Sequence, residues 1–275
     1  MPDLLHALGF ILLGLAVGTY GTLIGAGGGF VLMPVLLLLY PDDSSALLTS
    51  ISLAVVFFNA ASGSQAYARM GRIDYRSGLA FAAAAVPGAV LGAMLTNLMP
   101  RRLFDGVFGV MLAAGAIFLL FQPKAPARDP GVDDRLTRRR LVDQGGAVYE
   151  YAFRLRTGVV LSLFVGFMSS FLGIGGGIIH VPALVYLLNF PVHVATATSH
   201  FILAIMALAG TMVHVGSGVF VHGLHRTVYL AIGVLAGAQI GAHLSDTIKG
   251  RGIILSLAVA LVFAGARILY QAFAG

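Results

Sequence analysis

The chain has 275 residues, of which 58% are hydrophobic and 10% are charged, and its formal net charge at pH 7 is +6. Soluble domains have about a quarter of their residues charged, so this composition excludes a water-soluble globular protein. The sequence contains no cysteine, which excludes disulfides, thiolate metal sites and cysteine nucleophiles. The cations lie in short stretches between apolar runs, a distribution that indicates membrane topology rather than nucleic-acid binding.

Runs of about 20 uncharged residues recur along the chain, which is the length that a helix needs to cross a bilayer. The first run starts at Leu4 and lacks the basic region of a cleavable signal peptide, so we expect it to be the first membrane segment. A glycine cluster and a short apolar segment follow, and then three full-length runs. The predicted segments of this half are 4–24, 30–40, 46–68, 77–98 and 103–121.

A second half repeats this order after a polar stretch that we expect to be a solvated connector. Its predicted segments are 155–172, 178–190, 195–218, 227–245 and 252–272. Backbone polar groups must satisfy one another within lipid, so helices are expected throughout. The sequence thus predicts an all-α polytopic membrane protein. Its parts are an N-terminal transmembrane repeat (1–122), a cytoplasmic linker (123–153) and a C-terminal transmembrane repeat (154–275).

The two halves share a glycine-rich element that indicates an internal duplication. Gly18–Pro34 reads GTYGTLIGAGGGFVLMP and aligns without a gap with Gly166–Pro182, which reads GFMSSFLGIGGGIIHVP. A second element, Gly-x-x-x-Gly-Ala, begins at Gly88 and again at Gly237, and this pattern of small residues lets helices approach closely. The halves are therefore predicted to be copies of one fold.

A third shared element, Ala-x-x-Thr-Ser, begins at Ala46 and again at Ala195. The alignment makes two pairs of hydroxyl residues equivalent, Thr49 with Thr198 and Ser50 with Ser199. Because both copies have these residues, we expect them to line the same site, although hydroxyl groups also serve as plain interhelical hydrogen bonds.

The short apolar segments after the glycine clusters have 11 and 13 residues, too few to cross the bilayer at about 1.5 Å per residue. We therefore expect a broken helical hairpin in each half, which either re-enters or crosses fully. In both cases the hairpin adds an even number of crossings to three full ones, so the two repeats must be inverted. With Arg72 inside, most of the 17 Lys and Arg residues fall in cytoplasmic loops and both termini lie outside.

The glycine clusters interrupt hydrophobic stretches, and irregular backbone at membrane depth is tolerated where protein shields it or where it lines a cavity. Inverted-repeat transporters use this arrangement to aim half-helix N-termini at an anionic substrate. The sequence predicts such an anion site, and close packing through small residues is the alternative interpretation. The predicted backbone ligands are Gly25, Gly27, Gly28, Gly29, Gly173, Gly175, Gly176 and Gly177.

The polar side chains of the apolar spans favour an anion over a cation. All 11 acidic residues fall in predicted loops or near helix ends, so a cation would lack carboxylate ligands. The predicted side-chain lining is Thr49, Ser50, Thr198, Ser199, His200 and Gln239. Other neutral polar groups in the spans are Asn59, Gln65, His180, His214 and His243. A histidine such as His200 can also carry a proton with the substrate, and simple packing is the alternative.

These motifs resemble those of the TauE/SafE family of sulfite exporters, also called the toluene-sulfonate uptake permease family. The resemblance covers nearly the whole chain and rests on the duplicated Gly-x-Gly-Gly-Gly-x-x-x-x-Pro element, the Ala-x-x-Thr-Ser elements and the Gly-Ala-Gln-Ile-Gly-Ala run at 237–242. It implies a permease of the bacterial inner membrane for sulfur-containing anions such as sulfite or organosulfonates.

We therefore predict a secondary transporter that moves a small anion by alternating access, with an anion channel or a non-transporting scaffold subunit as the alternatives. Its predicted partners are the anionic substrate and the lipid bilayer, with no nucleic acid, and homo-oligomer formation stays open. No enzyme activity, cofactor or metal is predicted. The scattered Ser and His residues form no recognisable nucleophile and base pair, and His222 and His225 lack a third metal ligand.

Overall fold

A computed structural model describes residues 2–120, 136–245 and 251–274. Within these ranges it has ten α-helices that match the ten predicted segments one for one, which confirms an all-α polytopic membrane protein. The helices are α1 Pro2–Ile24, α2 Gly29–Leu39, α3 Ser45–Arg69, α4 Tyr75–Leu98, α5 Arg101–Leu120, α6 Leu155–Leu172, α7 Gly177–Leu188, α8 Val192–Gly216, α9 Leu224–Leu244 and α10 Arg251–Ala274. In the described residues, six spans are long and apolar enough to cross a membrane, and they contain α1, α3, α4, α6, α8 and α9.

The helix starts are of two kinds. The side chain of Ser44 accepts a hydrogen bond from the backbone N–H of Leu47 and caps α3, and Asp74 caps α4 in the same way through Ser77. The short helices α2 and α7, of 11 and 12 residues, begin after glycines that provide no side-chain cap. The two broken hairpins α1–α2 and α6–α7 therefore have their uncapped helix starts at the glycine clusters, as predicted.

Helix packing follows the same scheme in both halves. Helix α1 packs against α9 and α6 against α4, while α3 packs against α8 and α5 against α10. A β-carbon added at Gly88 of α4 would lie 2.1 Å from the carbonyl oxygen of Leu163, and one at Gly237 of α9 would lie 2.3 Å from that of Leu15. These glycines therefore allow backbone contact between helices, as their spacing predicts.

The second helices of the two broken hairpins, α2 and α7, end near opposite ends of α3. At the N-terminal end of α3, Arg101 donates hydrogen bonds to the carbonyl oxygens of Leu37 and Tyr40, at the end of α2. At the C-terminal end, the backbone N–H of Asp74 donates to Oγ1 of Thr198 near the start of α8. The α6–α7 hairpin, which directly precedes α8, therefore ends there.

The linker folds into a β-hairpin over part of its length, which corrects the expectation of a solvated connector. Strands β1 Thr137–Val142 and β2 Val148–Phe153 pair antiparallel, with Thr137 opposite Phe153. Tyr151, Ala152 and Phe153 are buried, because β2 packs against Phe81 of α4 and Phe190 after α7. Residues 123–135 of the predicted linker lie outside the described residues.

Candidate functional site

Each broken hairpin turns through a buried glycine loop, Gly25–Gly28 in the first half and Gly173–Gly176 in the second. The residues before α2 and α7, Gly28 and Gly176, have φ of 80° and 62°, a left-handed backbone that disfavours side chains. The same left-handed backbone occurs at Gly25, Gly27, Gly173 and Gly175. This explains why both copies have glycine at these places.

The two loops cross each other in direct backbone contact. A β-carbon added at Gly29 would lie 2.8 Å from the carbonyl oxygen of Gly173, and one at Gly177 would lie 2.5 Å from that of Gly25. The contact is reciprocal, since the first turn of each short helix rests on the loop of the other half. The structure thus brings the two predicted sets of backbone ligands into contact, with the closest approaches at Gly25, Gly29, Gly173 and Gly177.

Several backbone N–H groups at this crossing have no hydrogen-bond acceptor within the described residues. Gly25, Ala26 and Gly27 donate to carbonyl oxygens of α1, whereas the next residues begin α2. The N–H groups without an acceptor are those of Gly28, Gly29 and Phe30 in one half and those of Gly175, Gly176 and Ile178 in the other. Free N–H groups and the positive end of a helix dipole favour a negative charge, and two such ends meet here.

The crossing is closely packed in this conformation. Val56 of α3 contacts both loops, at 3.4 Å from a β-carbon added at Gly27 and 2.9 Å from one at Gly175. Gly21 lies against the amide of Gly28, because a β-carbon there would be 2.2 Å from the amide nitrogen. The amides are therefore enclosed by small and apolar groups, and a ligand must displace packed side chains to reach them.

A cavity of about 430 Å³ reaches the crossing from one side. It lies between α5, α6 and α7, and it touches Phe30 and Ile174, which adjoin the two glycine loops. Its walls are almost entirely apolar and include Phe108, Phe164 and Tyr186. The free amides thus have an apolar space beside them.

The predicted hydroxyl residues divide into two groups. Thr49 lies at the second loop, with its Cα 3.2 Å from a β-carbon added at Gly173. Ser50 instead donates to the carbonyl oxygen of Leu47 within its own helix, and Thr198 binds the amide of Asp74 at the end of the bundle. The structure therefore brings Thr49 to the loops but not Ser50 or Thr198.

The residue that takes the place of Thr49 in the second half is Thr196. Its Cγ2 lies 2.8 Å from a β-carbon added at Gly25, the counterpart of the contact between Thr49 and Gly173. The sequence alignment that paired Thr49 with Thr198 is thus two residues out of register. In the structural register Ser199 corresponds to Ser52, and the Ser52 hydroxyl donates to the carbonyl oxygen of Gly173.

The other two predicted lining residues occupy different surroundings. Gln239 donates from Nε2 to the backbone and side-chain oxygens of Ser62, at 2.7 and 2.9 Å, so it joins α9 to α3 away from the loops. His200 is fully buried beside Gly63 and Thr22. Ser199 is also fully buried, and its hydroxyl has no partner within the described residues.

Sequence reasoning missed a buried polar cluster behind the first loop. The Thr22 hydroxyl donates to Oδ1 of Asn59 at 3.1 Å, and the Tyr67 hydroxyl donates to the backbone oxygen of Thr22 at 2.9 Å. Asn59 is among the predicted polar groups, but Thr22 and Tyr67 are not, although the alignment of the glycine elements pairs Thr22 with Ser170, another hydroxyl residue. The position of Thr22 three residues before Gly25 was the available clue, since it places this hydroxyl in the last turn of α1.

A polytopic helical bundle in which two broken hairpins meet defines an integral membrane protein of the transporter class. The model of the Sulfite exporter TauE/SafE family matches residues 10–268, and the chain belongs to that family. It is 32% identical over 267 residues to the Probable membrane transporter protein YunE of Bacillus subtilis, covering 95% of this chain and 96% of the relative.

More distant relatives extend across nearly the same length. The Probable membrane transporter protein MJ0441 of Methanocaldococcus jannaschii is 22% identical over 90% of this chain and 89% of its own. The Probable membrane transporter protein YdhB of Bacillus subtilis is 27% identical over 88% and 90%. No solved structure gives a significant match. The chain is therefore a multi-pass membrane transporter.

Proposed function

We propose that the chain is a secondary transporter for a sulfur-containing oxyanion or organosulfonate, which binds where the two short helices begin. The single observation that carries the proposal is the crossing of two uncapped helix starts, each with free N–H groups. Such a receptor needs no charged side chain, because the amides and the helix dipoles supply the positive potential. The family name, sulfite exporter, supports the choice of sulfur chemistry.

Transport is proposed to proceed by alternating access between two inverted halves. The closure of the two broken hairpins at opposite ends of α3 supports the inversion, since copies with equal orientation would close at the same end. The same helix pairs recur when the halves are exchanged, α1–α9 with α6–α4. In this scheme the close-packed crossing is the occluded state, and rocking of one half against the other opens it to either face.

The apolar cavity supports a substrate that has both an anionic head and a carbon tail. Its walls reach the crossing at Phe30 and Ile174, so a tail fits there while a sulfonate or sulfite group accepts from the amides. A bare sulfite fills only the head position. The protein is further proposed to lie in the bacterial inner membrane, with the linker hairpin in the cytoplasm and both termini outside.

The test uses purified full-length protein in liposomes and a panel of labelled sulfite, sulfate, thiosulfate, methanesulfonate and toluenesulfonate. We expect saturable uptake and counter-exchange of one or more of these anions, which separates a carrier from a channel. Gly28→Leu and Gly176→Leu are expected to abolish uptake while the protein stays in the membrane. Gly9→Leu is the control, because a β-carbon at Gly9 meets nothing within 4 Å. Unchanged uptake in the Gly28 and Gly176 variants would refute the receptor.

A further inference from the structure

His200 lies in the polar cluster directly behind the first glycine loop. A β-carbon added at Gly63 of α3 would be 3.2 Å from His200 Nε2 and 3.1 Å from Cγ2 of Thr22. Thr22 follows Gly21, which rests on the free amide of Gly28. The imidazole is thus separated from the proposed anion site only by the last turn of α1.

The hydrogen bond of the ring fixes its tautomer. His200 Nδ1 is 3.3 Å from the backbone oxygen of Thr196, and a carbonyl oxygen can only accept, so Nδ1 carries the hydrogen. In a neutral ring Nε2 is then an unprotonated acceptor, which repels an anion. Protonation converts the same atom into an N–H donor that attracts one. Nε2 is buried and has no partner within the described residues, so it is available for this change.

Asn59 provides a donor of fixed character in the same cluster. Its Oδ1 accepts from the Thr22 hydroxyl, which directs the amide group of the side chain away from that bond. Nδ2 of Asn59 is buried and finds no acceptor in the part of the chain that the structure describes. The cluster therefore offers one permanent donor and one donor that exists only when His200 is protonated.

The titratable groups around the ring leave its added charge unbalanced. Tyr67 of α3 contacts the imidazole edge-on, with ring centroids 5.5 Å apart. Asp74 reaches α8 through its backbone at Thr198, while its carboxylate accepts from Ser77 and Tyr151.

On α7, His180 pairs with Ser162 of α6 at 3.2 Å rather than with His200. From α1 the neutral Thr22 faces the ring. Among the described contacts, no carboxylate or cation touches the His200 ring. A buried charge without a partner is costly, so protonation is favoured only when an anion arrives with it.

We propose that His200 binds a proton together with the anion, so that the carrier works as a proton–anion symporter. This inference rests on the proposed function. On one face of the membrane Nε2 takes a proton from the aqueous phase, and the positive charge of the imidazolium attracts the anion across the last turn of α1. On the other face the anion leaves and Nε2 returns the proton to water. No bond of the anion breaks, and one proton crosses with each anion.

The first test measures accumulation of labelled methanesulfonate and sulfate in proteoliposomes under an imposed pH gradient, because both anions stay ionised near neutral pH. A singly charged anion coupled to one proton is expected to accumulate about tenfold per pH unit toward the alkaline side. His200→Gln is expected to retain downhill flux and lose this accumulation, whereas His214→Gln, a buried control on the same helix, retains both.

Accumulation that persists in His200→Gln overturns the coupling, as does wild-type flux that ignores the pH gradient. If vesicles that contain the wild-type protein transport no anion of the panel, the transport proposal itself is refuted. A second measurement, made on the wild-type protein, tests the proposal even if His200→Gln does not fold. In weakly buffered detergent solution, wild-type protein is expected to take up about one proton per bound methanesulfonate. Binding without proton uptake contradicts the proposal.

Discussion

Tyr151 of the linker hairpin donates its hydroxyl hydrogen to Oδ2 of Asp74, the capping residue of α4, over 2.8 Å. Burial, as the largest cause, and the neighbouring Asp74 carboxylate raise the pKa of Tyr151 far above its ordinary value. The phenol therefore remains a donor at all working pH values. Arg139 of β1 approaches the same oxygen at 3.5 Å, so one carboxylate holds both strands to the first half.

This contact predicts that Tyr151→Phe lowers stability by about 1–2 kcal/mol, because it removes a donor from a buried carboxylate and adds no new group. The measurement is the thermal unfolding midpoint of purified protein in detergent. Tyr270→Phe serves as the control, since this side chain is 69% exposed. Equal midpoints for Tyr151→Phe and wild type would show that the hydrogen bond from Tyr151 to Asp74 contributes nothing to stability.

Gly21→Ala is predicted to reduce transport on the order of tenfold or more. The added β-carbon would lie 2.2 Å from the amide nitrogen of Gly28, and overpacking of about 1–3 kcal/mol corresponds to roughly that factor. The measurement is initial uptake of a transported panel anion. Gly9→Ala in the same helix meets nothing within 4 Å and should leave uptake unchanged. Normal uptake by Gly21→Ala would place the substrate path elsewhere.

The backbone contacts of α4 and α9 predict that a glycine-to-alanine substitution destabilises the protein equally in the two halves. Gly88→Ala and Gly237→Ala each place a β-carbon within 2.1 to 2.3 Å of a carbonyl oxygen on the facing helix. We expect each to lower the free energy of unfolding by about 1–3 kcal/mol. Thermal midpoints measure this, with Gly106→Ala as the control because its surroundings are open. A large effect in one half alone would contradict the shared packing scheme.

The surroundings of Asp143, in the turn of the linker hairpin, predict that acid lowers the stability of the folded protein. The backbone N–H of Ala147 is the first cause that lowers the pKa of Asp143 below its usual value, with help from Tyr149 and Arg72. A lowered folded-state pKa stabilises the protein above the unfolded value, and this contribution is lost as the pH falls through the folded pKa.

Asp143→Asn is therefore expected to lower the unfolding midpoint at neutral pH, and the difference from wild type should shrink as the pH falls below 3.8, the ordinary pKa of an aspartate. Midpoints recorded across this range measure it. Glu150→Gln, which removes an exposed partner of Arg140, is the comparison variant. A difference that is constant with pH would assign the effect to packing rather than to the charge.

The helices and the glycine loops were predictable because both depend on local composition. Ten predominantly apolar segments and two glycine clusters in repeated order leave few alternatives within lipid. The backbone contact at Gly88 and Gly237 followed from spacing as well. In each case the physical signal lies within one stretch of sequence.

The register of α3 against α8 was not predictable in the same way. The Ala-x-x-Thr-Ser elements are alike in sequence, yet loop lengths on either side decide which residue meets the glycines, and Thr196 rather than Thr198 does so. In this register His200 corresponds to Leu53, since Gly63 contacts His200 as Gly210 contacts Leu53. The two copies therefore differ at this position, with an ionisable side chain in one and a hydrocarbon side chain in the other. This difference is apparent only when the packing of the helices is known.

The linker was misjudged for a related reason. Three consecutive arginines, 138–140, occupy the centre of β1, and the apolar end of β2 is too short to reveal a packed strand by itself. Burial of Tyr151 and Phe153 depends on Phe81 and Phe190, which are distant in sequence.

The reciprocal seating of Gly29 on Gly173 and of Gly177 on Gly25 has a consequence for engineering and for descent. Each glycine motif packs directly on the other, so neither can accept a larger residue without a compensating substitution in the other motif. A chimera that takes one half from a diverged relative should therefore assemble only when both of its glycine motifs come from the same protein.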